Sequence, residues 1–420
     1  MIQVGFDCSA VDPTFKSHAQ RGIGRYVSRL ISAFECCHSS EVNLSYFDHQ
    51  SLSRNGFADR VISAIPRGRT HLRQHLLHPS RLNEGALKDC SLLHYPAHMD
   101  APAWTSKPYV LTVLDLIPHL LSELYRANKP SWRFRAARML EVQAIRNATL
   151  LLAISEATAR DIIRVLNVPR ERIVVTPLGV DSAFLDVQLL RRSKSVEWSA
   201  QLRGRLGIPT SRPIILYVGG HDERKNVGVI IEITKRAIDA AVGIGLEPPV
   251  LVLAGRVSAA AEQARLDSSL ARFSMSRDTI SLGYVSEADL QALYAESALF
   301  LFPTLYEGFG LPALEAMAGG LPVVSSNTSS LPEVVGEAGV LFDPNDVDAG
   351  VRGVLSILKE SEVSGFLSQA GPARAALFTW ERTAKLTEQA YLQAELLLKE
   401  KLSRGEVKQG DSVRESQAGG

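Results

Sequence analysis

The chain of 420 residues is short of several things, and each shortage removes a class of protein. Its four cysteines, Cys8, Cys36, Cys37 and Cys90, form neither a CxxC pair nor a metal-ligand spacing. That excludes a disulfide scaffold and fits reduced thiols in a cytosolic protein. No apolar run approaches the ~20 residues that a spanning helix needs. The opening MIQVGFDCSA lacks the charged-then-apolar pattern of a secretory leader, so none is expected. Net charge is missing too. With 46 Lys+Arg against 45 Asp+Glu the balance is +1, and no nucleic-acid partner is expected. Together these absences describe a cytoplasmic protein, free or resting on the inner face of a membrane.

What is present is a large core and an uneven distribution of charge. Hydrophobic residues make up 45% and charged residues 22%, ordinary for a globular chain of two or three domains. Residues 1–190 hold 22 Lys+Arg against 17 Asp+Glu, the remainder 24 against 28, and nine of the ten histidines lie in the first part. The two halves therefore meet different partners. Residues 65–82 carry Arg67, Arg69, Arg73 and Arg81 with no acid. Residues 125–147 carry six cations against Glu141, with Trp132 and Phe134 interleaved. Such segments either solubilise a helix or bind an anionic membrane surface, each cation near it contributing about 1 kcal/mol.

The most informative stretch is Phe302–Pro322, FPTLYEGFGLPALEAMAGGLP. Gly308 and Gly310 permit backbone conformations and close approach that a Cβ would block. Pro312 suits a first helical turn, and Gly319 and Gly320 end the helix. A helix start fronted by glycines presents free N–H groups and a positive dipole end to phosphate. Glu307 falls on the loop and Glu315 a turn inside the helix. The spacing in EGFGLPALEA resembles the E-x7-E signature of the GT4 group of nucleotide-sugar-dependent glycosyltransferases.

Strand and helix patterns alternate throughout. Ile2–Phe6 reads as a strand, followed after a polar loop by a helix in RGIGRYVSRLISAF, with Gly22 and Gly24 at its opening turn. A lone GxG also fits a turn with no ligand, and a dinucleotide fingerprint is excluded by the long gap after the strand. Tyr109–Leu116 is a strand running to Asp115, with His119 just beyond. A carboxylate there either caps a turn or faces the crevice at the strand ends. Further strands are expected at 148–154, 173–176, 214–218, 250–254, 280–285 and 323–325. Ser155 and Ser286 are expected helix caps. After Ile214–Val218, Gly219-Gly220 opens a loop to Arg224-Lys225-Asn226, which is either an exposed cationic pair or a phosphate grip. Asp346-Val347-Asp348 imitates a metal-binding DxD, but FDPNDVDAG reads as a helix cap.

The expected fold is α/β, two Rossmann-like domains facing across a cleft. The boundaries are 1–185 for the first domain, 186–208 for a linker and lead-in helix, 209–380 for the second domain, 381–402 for a last helix and 403–420 for a disordered tail. The resemblance implies that this is the GT-B fold, with the nucleotide sugar on the second domain and a saccharide or lipid-linked acceptor on the first. It implies no cofactor and no metal. Carried over residue by residue, it assigns Glu315 to the donor ribose and Glu307 to the donor sugar. Lys225 and Arg224 go to the diphosphate, with Gly219 and Gly220 along it, and Gly22 and Gly24 form a loop against the donor diphosphate or the acceptor. Val285 goes to the nucleobase, and Phe309, Gly310 and Leu311 to sugar and phosphate. Glu307, Asp115 and Lys225 are the catalytic candidates. Two family positions are not matched: Leu114 stands where a histidine is usual before Asp115, and Gly220 where some members carry an arginine. GDP-mannose is the favoured donor, and membrane association through the basic first half is the favoured location. A nucleotide-sugar epimerase or hydrolase of the same architecture, or a non-catalytic partner subunit, are the alternative readings.

Overall fold

The computed structural model describes residues 1–13, 22–37, 40–52, 60, 74, 78–121 and 132–404. Two six-stranded parallel sheets organise them. The first has the order β2-β1-β3-β4-β5-β6, from Ile2–Asp7 (β1), Val42–Phe47 (β2), Leu92–Tyr95 (β3), Tyr109–Val113 (β4), Leu150–Ala153 (β5) and Ile173–Val175 (β6). The second has the order β12-β11-β10-β7-β8-β9, from Ile214–Val218 (β7), Val250–Ala254 (β8), Thr279–Gly283 (β9), Leu299–Phe302 (β10), Val323–Ser326 (β11) and Val340–Phe342 (β12). The central strands β4, β5, β8 and β10 are buried along their whole length, as parallel strands covered on both faces must be. This is the expected pair of Rossmann-like sheets.

The helices of five residues or more are α1 (Gly22–Cys36), α2 (Trp132–Asn147), α3 (Glu156–Leu166), α4 (Ser182–Ser193), α5 (Val196–Leu206), α6 (Val227–Gly243), α7 (Ala260–Arg272), α8 (Glu287–Glu296), α9 (Leu311–Ala318), α10 (Leu331–Val335), α11 (Val347–Lys359), α12 (Ser361–Ala375) and α13 (Trp380–Ser403). Caps end where the sequence places them. Ser155, Ser286 and Asp346 accept the backbone N–H of Thr158, Asp289 and Ala349. Asp348 pairs with Arg236 at 2.8 Å.

Three strands carried too weak a pattern to be expected: β2 is a half-exposed edge strand, β3 has four residues, and β12 has three. Gly22 and Gly24 lie in the first described turn of α1. Segment 186–208 is helical almost throughout, in α4 and α5. Arg191 donates to the carbonyls of Ala295 and Ser297, and Lys194 and Arg203 pair with Glu296 at 2.8 and 2.5 Å. Those cations therefore seat α4 and α5 on the second domain.

The last helix crosses back. Tyr391 of α13 meets the buried His94 of β3, oxygen to Nδ1 at 2.7 Å, and Nε2 of the same ring meets Thr112 Oγ1 of β4 at 2.9 Å. Trp380 donates its indole N–H to Asp181 at 2.8 Å.

Candidate active site

The site lies where the carboxyl ends of the two sheets face each other, the place where open parallel sheets bind ligands. The loop after β10 reaches the strand ends of the first sheet. Ser155 Oγ donates to the Gly308 carbonyl at 2.8 Å, and Tyr306 donates to Asp161 at 2.5 Å. A Cβ on Gly308 would come within 2.4 Å of the Leu114 carbonyl and 3.2 Å of Asp115 Cβ, so the close approach needs glycine. Glu333, at the start of α10, accepts the N–H groups of Glu156 and Ala157 at 2.8 and 2.9 Å and so caps α3 from the opposite domain.

Around Glu307 the second domain gathers its cations. The loop after β7 turns at Asn226, whose φ of 56° starts α6. Asn226 Nδ2 donates to the Pro303 carbonyl at 3.1 Å, Arg224 donates to the Tyr306 carbonyl at 3.0 Å, and the Leu305 N–H donates to the Arg224 carbonyl at 2.7 Å. These bonds lock the cationic loop to the glutamate loop. Lys225 Nζ then lies 2.6 Å from one Glu307 oxygen and Arg224 Nη1 3.2 Å from the other. Burial pushes the Glu307 carboxyl up, but Lys225 and Arg224 outweigh it and hold the group below the usual carboxylate range. Burial pulls Lys225 below the ordinary lysine range against the pull of Glu307. Arg224 also pairs with Asp222 at 3.1 Å.

Eight residues on, Glu315 meets a different environment. Gly310, with φ 104°, starts α9, and Pro312 occupies the first turn. Glu315 is 2% exposed. Tyr294 of α8 donates to it at 3.1 Å, and Arg25 of α1 reaches across the cleft to 2.6 Å. Burial dominates and raises its carboxyl to about 7, against the pull of Arg25 and Tyr294. Arg25 is itself gripped by Asp181, through Nε at 2.9 Å and Nη2 at 2.7 Å. Arg29 and the Trp380 indole hold the other Asp181 oxygen, at 2.9 and 2.8 Å.

Asp115 faces this assembly from the end of β4, with one oxygen accepting the Ile117 N–H at 3.0 Å. Burial raises its carboxyl, and the charge of Glu307 adds to that while Arg224 opposes it. His119 follows within the same turn, and burial lowers its imidazole. Leu114 is buried in the apolar core, so the place of the family histidine is filled by packing. Phe309 is buried against Phe378, and its carbonyl and that of Glu307 accept the Ser330 hydroxyl. Gly219 and Gly220 line the start of the cationic loop, and Val285 packs partly buried past the end of β9. Most of the basic segment 65–82 and the start of 125–147 lie outside the described residues. Among the described residues, no helix is long and apolar enough to cross a membrane, and no three His, Cys, Asp or Glu side chains converge as metal ligands would.

Arg25, Asp181, Tyr294 and Glu333 were not singled out from sequence. Arg25 had a signal: a cation in the first turn of a helix opposes the dipole and needs nearby anions. The other three come from separate elements, and only the fold brings them together.

Comparison with known proteins agrees with this two-sheet architecture. Residues 199–374 match the family model for glycosyl transferases group 1, and residues 21–184 that for glycosyltransferase family 4. The chain is 29% identical to O-antigen chain mannosyltransferase B of Escherichia coli over 388 residues, 88% of this chain and 95% of that one. Sucrose-phosphate synthase from Thermosynechococcus elongatus superposes with a TM-score of 0.67 at 20% identity, covering 94% of this chain and 99% of that one. HepE of Anabaena, solved with UDP-glucose, superposes at 0.66 and 16% identity, covering 93% and 100%. With family models matching both halves and a GT-B architecture around the paired glutamates, the chain belongs to the GT4 family of glycosyltransferases.

Proposed function

We propose that the protein is a metal-independent, retaining glycosyltransferase that moves a hexosyl group, mannosyl in first place, from a nucleotide sugar to a saccharide or lipid-linked acceptor. The observation that carries the reading is the Glu307 cluster, with Lys225 and Arg224 fixed at the strand ends beside a glycine turn. Breaking the sugar–phosphate bond loads charge onto the leaving diphosphate, and preorganised cations lower that barrier. Glu307 stores the two cations in register until the donor arrives and then faces the donor sugar. Glu315 takes the ribose hydroxyls, the amides of Phe309–Leu311 contact sugar and phosphate, and Val285 lies beside the base. Asp115 approaches the reacting sugar from the first domain. The acceptor oxygen attacks the anomeric carbon on the face the diphosphate leaves. The carbon–oxygen bond to phosphate breaks, and the acceptor proton passes to a phosphate oxygen. The contacts that Ser155, Tyr306 and Glu333 make across the cleft describe a closed arrangement that keeps water out of the reaction. The mannosyl and GDP preference draws on the name of the E. coli relative, and a nucleotide-sugar donor on the ligand of HepE. The basic first half suits an acceptor presented at an anionic membrane surface.

The test is to incubate the purified chain with GDP-mannose, UDP-sugars and ADP-sugars, with and without lipid-linked saccharides, in EDTA, and read the anomeric configuration of the product by NMR. Transfer with retained configuration in EDTA is expected. Product formed equally well without acceptor assigns the chain to the hydrolases or epimerases. Failure with every pairing, restored by a second protein, assigns it to partner subunits.

A further inference from the structure

We propose that Arg25, from the acceptor-side domain, is a donor-binding residue: its guanidinium covers Glu315 until the donor arrives and then moves to the donor's diphosphate. This rests on the reading of Glu315 as the ribose carboxylate. The argument begins with a shortage of charge. The cations of the β7 loop are spent, Lys225 on Glu307 and Arg224 on both Glu307 and Asp222. Among the described residues, the two positive and two negative side chains of that cluster balance, whereas a nucleotide sugar brings two negative charges on its diphosphate. Gly220 supplies no side chain at the start of the loop. A third cation adds to the grip of Lys225 and Arg224, and Arg25, with Arg29 beside it on Asp181, stands within the cleft.

Its geometry suits a transfer. Nε and Nη2 are held by Asp181, which Arg29 and Trp380 fix in turn, while Nη1 alone extends 2.6 Å to Glu315. The Asp181 fork is a pivot and the Glu315 contact is the exchangeable one. When a ribose diol donates two hydrogen bonds to Glu315, the carboxylate no longer needs the guanidinium. Nε and Nη2 share one Asp181 oxygen, so the planar guanidinium turns about it as a unit and carries Nη1 toward the phosphates attached to that ribose. Arginine suits the second partner as well as the first, because its planar fork matches carboxylate and phosphate oxygens alike. Phe184 underlies the guanidinium, 5.2 Å from its carbon, and supports it in either position.

The experiment measures binding of GDP, guanosine, UDP and uridine to the wild type, Arg25→Met and Arg25→Lys by calorimetry, with melting temperatures recorded alongside. For whichever diphosphate the wild type binds, Arg25→Met is expected to weaken it at least 10-fold and the matching nucleoside less than 3-fold. Arg25→Lys should recover part of the loss. Parallel loss of nucleotide and nucleoside, with a lowered melting temperature, would reduce Arg25 to a scaffold residue and overturn the proposal. Tighter diphosphate binding by Arg25→Met would also overturn it, leaving Arg25 as a mere obstruction. A wild type that binds none of the four overturns the donor reading itself, a different result from either.

Discussion

Glu307 and Glu315 are buried glutamates on one short segment, yet their surroundings set their charges in opposite ways. Glu307 faces two cations of its own domain and is held ionised. Glu315 faces one cation, delivered from the other domain, and burial raises its carboxyl to about 7. Glu307's environment is therefore built into a single loop pair, while that of Glu315 is completed only when both domains meet. A group permanently charged suits holding other charges in place. One whose counter-ion can depart suits receiving a neutral diol.

The sharpest way to break this contrast is Lys225→Met, which leaves Glu307 buried with a single cation. Removing one partner of a buried pair costs about 3–5 kcal/mol, so both turnover and stability should fall. We expect at least a 100-fold loss of kcat/KM in a donor-saturation assay, with a lowered melting temperature. Glu315→Gln should act differently, raising the donor KM about 10-fold with a smaller change in kcat, because on the proposed reading it removes a ribose contact rather than a phosphate cation.

Proton linkage separates the two glutamates further. Glu315 has a folded-state pKa raised from 4.5 to about 7, so the folded protein binds the extra proton and its contribution to stability falls as pH rises through that window. Arg25, Tyr294 and Asp181 are the groups that modulate it. Glu307, held below 4.5, contributes stability above its unfolded pKa that is lost as pH falls through the folded one. Urea titrations of the ligand-free protein should therefore show that Glu315→Gln flattens the slope between pH 4.5 and 7, while Glu307→Gln flattens the acid limb below 4.5. The smallest effect should come from Glu333→Ala, which removes the cap that joins the domains at α3. Loss of a helix cap costs roughly 1 kcal/mol, so a modest rise in the radius of gyration by X-ray scattering is expected, with the fold of each domain unchanged.

The difference between the glutamates also governs how much of the site could be read in advance. Glu307, Glu315, Lys225 and Arg224 sit in local patterns, a glycine turn and a strand-loop-helix unit, whose physics is confined to a dozen residues. The fold was legible for the same reason, since buried parallel strands announce themselves as apolar runs. Arg25 and Asp181 are separated by 156 positions and meet at a junction that no local window contains. The short strands β3 and β12 gave no period to count, and the extent of helix in 186–208, beyond the one lead-in helix expected, hid behind cations whose partners are backbone carbonyls and Glu296 of the second domain.

The return of α13 bears on how the molecule is made. His94 waits for a hydroxyl 297 residues further along the chain. During synthesis the first sheet thus leaves the ribosome with a polar ring in its interior and no α13 to cover α1. Its completion is deferred until α13 has emerged, a contact of high sequence separation and correspondingly slow closure. The N-terminal sheet is thus topologically dependent on the last helix, and a fragment ending before Trp380 should recover its cooperative melting when a peptide spanning Trp380–Ser403 is added in trans.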